Sequence, residues 1–164
     1  MRKRIEVVFV SRRNTLRSIL AQACLSHIDN IRFRVQSCGQ PRKIDSAIHP
    51  AAIAALRSAG MATAPVEPSS WDDFAPRHGF QAHFVITLEA DTLAPQPRWP
   101  GQPDTALWSY PDAAAIDDPK ESAHVALQIL HSLRRRLELL TSLPLHGADR
   151  EAVRSDLRDL GHMR

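Results

Sequence analysis

Val7-Val8-Phe9-Val10-Ser11-Arg12-Arg13-Asn14-Thr15-Leu16-Arg17-Ser18 is the stretch on which the architecture turns. Its opening residues are apolar and mostly β-branched, and they stop abruptly at a polar turn. The segment Ile19-Leu20-Ala21-Gln22-Ala23-Cys24-Leu25 follows at once with helical spacing of its apolar positions. That order predicts a buried strand, a tight turn and a helix start. The first four amides of a helix lack intrahelical acceptors, and the helix dipole favours negative charge there. Arg17, in the first turn, carries a planar guanidinium able to fork onto two oxygens of an oxyanion. These features together describe a cradle for phosphate-like anions.

The remaining sequence narrows the class. At 164 residues, with 43% hydrophobic and 24% charged positions, the chain is long enough for one domain with a substantial core. No apolar run approaches the length of a bilayer span, and no secretory leader follows the basic Met1-Arg2-Lys3-Arg4. With two cysteines, Cys24 and Cys38, a disulfide scaffold is not expected and a cytoplasmic location is. A net charge of +3 falls short of a dedicated nucleic-acid binder, and no aromatic residues interleave with the basic run Arg134-Arg135-Arg136. The eight histidines have no ligand-like spacing, so neither metal nor cofactor is expected.

Along the chain, Ile31 to Gln36 alternates as a half-buried strand, and Gly39 and Pro41 end it. His49 to Gly60 reads as a helix with Pro50 near its first turn and Gly60 at its end. Ala64 to Phe80 is rich in turn residues, and His83 to Thr87 forms a third, buried strand. Pro95, Pro97, Pro100 and Pro103 impose a loop, and Ala106-Leu107-Trp108 is a short fourth strand. Pro119 to Leu140 has the strongest helical periodicity, and Ala148 to Leu160 a charged surface helix. Alternating strands and helices predict a parallel α/β sandwich, with ligands bound beyond the carboxyl ends of the strands, where Ser11 to Ser18 falls.

Ser11-Arg12-Arg13-Asn14-Thr15-Leu16-Arg17-Ser18 resembles the anion loop of the low-molecular-weight protein tyrosine phosphatases and the thioredoxin-coupled arsenate reductases. That loop reads Cys, five residues, Arg, then Ser or Thr, with an Asn at its centre. Asn14, Arg17 and Ser18 match, whereas Ser11 takes the place of the nucleophilic cysteine and Arg13 that of a common glycine. The likeness extends through Phe33 to Gly39, His49-Pro50, Ser70 to Phe74, Trp99 to Pro103 and Trp108 to Asp112. It implies one domain over residues 1–164, a three-layer α/β sandwich with a four-stranded parallel sheet flanked by helices, and residues 141–164 as a C-terminal helical extension.

The resemblance also distributes roles. It makes Ser11 to Ser18 the oxyanion-binding loop and Arg17 the residue that holds the anion. Asp112 corresponds to the general acid, although Ala113 follows it where the family has proline. Asp118-Pro119 is the alternative, and it also fits a helix N-cap with proline at the first position. The family activates a cysteine thiolate with loop amides, helix dipole and arginine. A serine hydroxyl starts several pKa units higher and normally needs an adjacent base, and no Ser/His pairing is visible in the sequence. Arsenate reduction needs a further cysteine after the third strand, where this chain has Thr87-Leu88-Glu89-Ala90-Asp91. The expected function is binding of phosphate, sulfate or arsenate-like anions, or of a phosphorylated protein, without cysteine catalysis. The alternative is a phosphomonoester hydrolase using Ser11 and Asp112. Arg13 raises one question of shape, since glycine takes φ > 0 freely and arginine does so at a cost. Arg134-Arg135-Arg136 is expected as a solvated helix face.

Overall fold

A computed structural model of the chain describes residues 4–62, 67–74, 81–145 and 150–163. Strand β1 (Ile5–Val10) lies inside a four-stranded parallel sheet, between β2 (Phe33–Cys38) and β3 (Phe84–Thr87), with β4 (Asp104–Leu107) on the far edge. The register pairs Val7 with Val35 on one side and with Phe84 on the other. From Val7 to Val10 β1 is an unbroken apolar run, fully buried, because both of its faces are covered there. Val7 and Phe9 enter the larger core with Phe84, Ile86 and the helices, while Val8 and Val10 join Val85, Trp71, Phe74 and Trp99 in the smaller one.

Helix α1 (Arg17–Ile28) buries Ile19, Leu20, Ala21, Cys24 and Leu25. Helix α2 (Pro50–Ser58) begins with Pro50 after His49, whose Nδ1 accepts the Ala51 amide at 3.0 Å, and ends before Gly60 at φ +70°. A 3-10 turn at Trp71–Asp73 begins with a capping box in which Ser70 and Asp73 each take the other's amide. The long helix α3 (Pro119–Ser142) starts on Asp118, which accepts the Lys120 amide at 3.1 Å. Helix α4 (Arg150–Leu160) closes the edge of the sheet: Leu157 accepts the Trp108 indole N–H at 3.0 Å, and Arg154 reaches the buried Asp104 at 2.8 Å. Val153, Leu157 and Leu160 belong to the main core, so this helix is amphipathic and docked.

Several boundaries shift from the sequence expectation. β2 starts at Phe33, two residues after Ile31, which is 80% exposed. β4 starts two residues early because Asp104, expected to be loop, is buried under two arginines of α4. Arg136 leaves the expected solvated face: it is buried, with its guanidinium 4.7 Å from the centre of the Tyr110 ring and donating to the Met163 carbonyl. Aromatic faces and a carbonyl replace water around that cation. Arg134 does lie on the exposed face, paired with Glu138 one turn away. Much of the turn-rich stretch from Ala64 to Phe80, and the first residues of the expected last helix, lie outside the described residues. Among the described residues no helix is long and apolar enough to cross a membrane.

Candidate functional site

The turn after β1 is fixed from several sides through main-chain hydrogen bonds. Ser11 N–H donates to Cys38 O at 3.2 Å, Gln40 N–H to Arg12 O at 2.9 Å, and His49 N–H to Thr15 O at 3.0 Å. Gly39 makes the closest approach. A Cβ there would stand 2.8 Å from Arg12 O and 3.0 Å from Ser11 O, so no larger residue fits without moving the turn. The left-handed backbone in this loop falls on Asn14, at φ 53°, and not on Arg13. Asparagine tolerates that region better than most residues, so the glycine-to-arginine departure at position 13 has no backbone cost of the kind expected.

Asn14 is fully buried and holds the loop from within. Its Oδ1 accepts the Ser69 N–H at 2.9 Å, which orients its amide nitrogen to donate to Ser18 Oγ at 2.7 Å. Ser18 Oγ is in turn 2.6 Å from Ser11 Oγ, and either hydroxyl can donate. Ser11 therefore anchors to Ser18; no side chain caps α1.

With the carbonyls turned outward, the loop leaves a set of donors behind. Among the described residues, the backbone N–H groups of Arg13, Asn14, Thr15, Leu16, Arg17 and Ser18 have no protein acceptor. Five of these residues, Asn14 through Ser18, are at most 5% exposed. Buried amides without acceptors are rare, because each costs about 1–3 kcal/mol in lost hydration. Here a run of them borders a recess lined by Ser11, Arg13, Thr15, Arg17 and Asp112, an arrangement of the kind that suits an anion.

Arg17 stands at the floor of this recess, 5% exposed. Its Nη1 donates to Tyr110 O at 3.1 Å, its Nη2 to Glu89 Oε2 at 2.8 Å, and Asp112 Oδ1 lies 3.7 Å away. Glu89 Oε1 also accepts the Arg12 N–H at 2.6 Å, so one carboxylate ties the arginine to the start of the loop. Burial raises the Tyr110 phenol above its ordinary range, against a smaller opposing effect of its contact with Ser132 Oγ. The sequence marks Gly39 as a strand end and Glu89 as part of a segment without cysteine. It assigns neither of them, nor Ser69, a part in fastening the loop, since nothing local marks a residue far along the chain for that role.

Asp112 reaches the recess, whereas Asp118 is occupied as the N-cap of α3. Arg12 turns aside, its guanidinium 3.6 Å from Asp91. Both thiols lie elsewhere and are buried. Desolvation pushes Cys24 up to about 12, and burial raises Cys38 further still. Neither can supply a thiolate at neutral pH.

A doubly covered parallel sheet with an amide-lined loop at the end of its first strand defines the class: a four-stranded parallel α/β sandwich flanked by helices. Residues 6–143 match the family of low molecular weight phosphotyrosine protein phosphatases, and the chain belongs to that family. Its fold is shared by several solved structures. One is an arsenate reductase in the phosphate binding state (24% identity, TM-score 0.66, 83% of this chain and 95% of that one). Another is the arsenate reductase of Archaeoglobus fulgidus (18% identity, TM-score 0.61, covering 80% and 98%). A third is the tyrosine phosphatase Wzb of Escherichia coli K30 in complex with sulphate (16% identity, TM-score 0.63, covering 84% and 99%). No curated protein sequence matches the chain significantly.

Proposed function

We propose that this chain binds phosphate-like oxyanions through the Ser11–Ser18 loop and has lost the cysteine chemistry of its family. The observation that carries the reading is the run of buried residues from Asn14 to Ser18 whose amides find no acceptor among the described residues, beside the guanidinium of Arg17. Such donors gain most from a tetrahedral anion, whose oxygens accept several of them at once. The solved phosphate- and sulphate-bound relatives support the same ligand class.

The loss of catalysis rests on Ser11. Among the described residues its hydroxyl hydrogen-bonds to Ser18 Oγ and to no basic side chain. A serine in that setting lacks the base that normally activates it. Cys24 and Cys38 are buried with raised pKa values, and Glu89 occupies the segment after β3 where a reductase carries a further cysteine. Ser11 and Asp112 do line one recess, which favours phosphomonoester hydrolysis as the second reading. A phosphorylated protein in the cytoplasm is the corresponding macromolecular ligand; no nucleic acid, membrane or cofactor enters this reading.

The test is thermal unfolding with and without inorganic phosphate or sulfate, beside hydrolysis of p-nitrophenyl phosphate and thioredoxin-coupled arsenate reduction. A ligand that binds only the native state stabilises it by about 2.7 kcal/mol at a hundred times its Kd. Phosphate is expected to raise the melting temperature of the native protein, and Arg17→Ala to remove most of the rise. An undiminished rise in Arg17→Ala places the anion elsewhere; turnover above a protein-free blank in either assay overturns the loss of catalysis.

A further inference from the structure

The arginines of the loop are not equivalent. Arg17 lies at the floor, its charge offset by Glu89 at 2.8 Å and Asp112 at 3.7 Å. Arg12 faces Asp91 at 3.6 Å and does not line the recess. Arg13 lines the recess, is only partly buried, and among the described residues has neither ion pair nor hydrogen bond. Among the described residues it is thus the cation of the recess that no carboxylate pairs with, although Asp112 lines the same recess. Its greater exposure places it nearer solvent than Arg17, where the part of a ligand that emerges from the amide seat must pass.

Accepting the oxyanion seat, we infer that Arg13 reads a second anionic group, and that the ligand is an organic phosphate bearing a carboxylate or comparable anion close to its phosphoryl group. The amides and Arg17 hold the phosphoryl oxygens. A phosphate alone satisfies those donors and leaves Arg13 unmatched at the rim. A guanidinium presents a planar fork suited to a carboxylate, and partial desolvation strengthens the pairing relative to an exposed ion pair. Arg13 departs from the glycine common at this position, and its backbone stays outside the left-handed region. Its side chain can therefore set specificity without distorting the seat.

The experiment measures binding of inorganic phosphate, phenyl phosphate and 4-carboxyphenyl phosphate by calorimetry at constant ionic strength, to the native protein and to Arg13→Gln. The readout is the affinity ratio of the carboxylated ester to phenyl phosphate. A charge-assisted pairing of this kind is expected to give a ratio of about ten in the native protein and near one in Arg13→Gln. Unliganded melting temperatures establish that the variant is folded. A ratio near one in the native protein, with phosphate still bound, overturns the role of Arg13 and leaves the seat intact. A ratio that persists in Arg13→Gln assigns the second anion to another residue and overturns it as well. Failure of inorganic phosphate itself to bind the native protein removes the oxyanion seat and this inference together.

Discussion

Two loops meet over the recess, and they are built on different principles. The loop after β1 is fastened by polar main-chain contacts from distant segments: Cys38 O, the amides of Gln40, His49 and Ser69, and the Glu89 carboxylate. The segment from Trp108 to Asp112 is held by aromatic bodies, with Trp108 fully buried against α4 and the Tyr110 ring over Arg136. The first loop carries the amides from Arg13 to Ser18 that lack an acceptor among the described residues. The second delivers one carboxylate, Asp112, and one carbonyl, Tyr110 O, to Arg17. The first loop is tied largely by backbone groups, and the Ser11 Oγ–Ser18 Oγ contact is the tie that the side chain at position 11 adds.

Removing Glu89 is expected to have the largest effect on that division. Its ion pair with Arg17 is nearly buried, the two side chains being 14% and 6% exposed. Deleting one member of such a pair leaves an uncompensated charge, at a cost of about 3–5 kcal/mol. Glu89→Ala should fall toward the upper part of a milder range, because Asp112 and Tyr110 O still face Arg17. Denaturant unfolding of Glu89→Ala with and without phosphate checks this. The expected outcome is a large loss that phosphate partly restores, since the anion takes over the balancing of Arg17. A loss that phosphate leaves untouched would mean that Glu89 serves the core and not the site.

Gly39→Ala comes next and acts on the first loop alone. The added methyl would press on Arg12 O and Ser11 O, both backbone atoms that cannot rotate away. Overpacking of this kind typically costs about 1–3 kcal/mol. Phosphate affinity should drop with stability, because the displaced atoms carry the amide run. A variant that loses stability and binds phosphate unchanged would break the link between that contact and the seat.

Glu89 and Gly39 also mark the boundary of what the sequence discloses. The strand-turn-helix at Val7 to Ser18, the parallel sheet and the docking of Asp118 as a cap follow from local pattern: apolar runs, spacing and proline at the first helical turn. Fasteners from far along the chain carry no such pattern. Glu89 lies 72 positions from Arg17, and Ser69 lies 55 from Asn14. The burial of Arg136 was hidden for the same reason, since three adjacent arginines on a helix look alike until Tyr110 is placed against one of them. Position 13 misled differently. The left-handed residue of the loop is Asn14, and only the backbone reveals which of two neighbours takes it.

The smallest perturbation of the fold is the one that asks most of the chemistry. Ser11→Cys exchanges one atom at a site held by backbone ties, so stability should change by less than about 1 kcal/mol. The new sulfur would sit beside unpartnered amides, the start of α1 and the Arg17 guanidinium. Those surroundings lower a thiol below its free value of about 8.5. Cys24 and Cys38 serve as internal contrasts, because burial raises both. The sign is clear: a lowered pKa leaves thiolate present at pH 7, so iodoacetamide should label position 11 in the native protein and leave the other two unlabelled until unfolding. With phosphate bound, labelling should slow, since anion and reagent compete for one recess. Hydrolysis of p-nitrophenyl phosphate should then appear, with Asp112 protonating the leaving phenolate, a contribution usually worth about 10²–10⁴-fold. Asp112→Asn added to Ser11→Cys should remove most of that rate. Asp118→Ala should leave the rate and cost about 1 kcal/mol of stability through the lost cap. Labelling without hydrolysis would show that the first loop alone survives intact and that the second no longer delivers its acid.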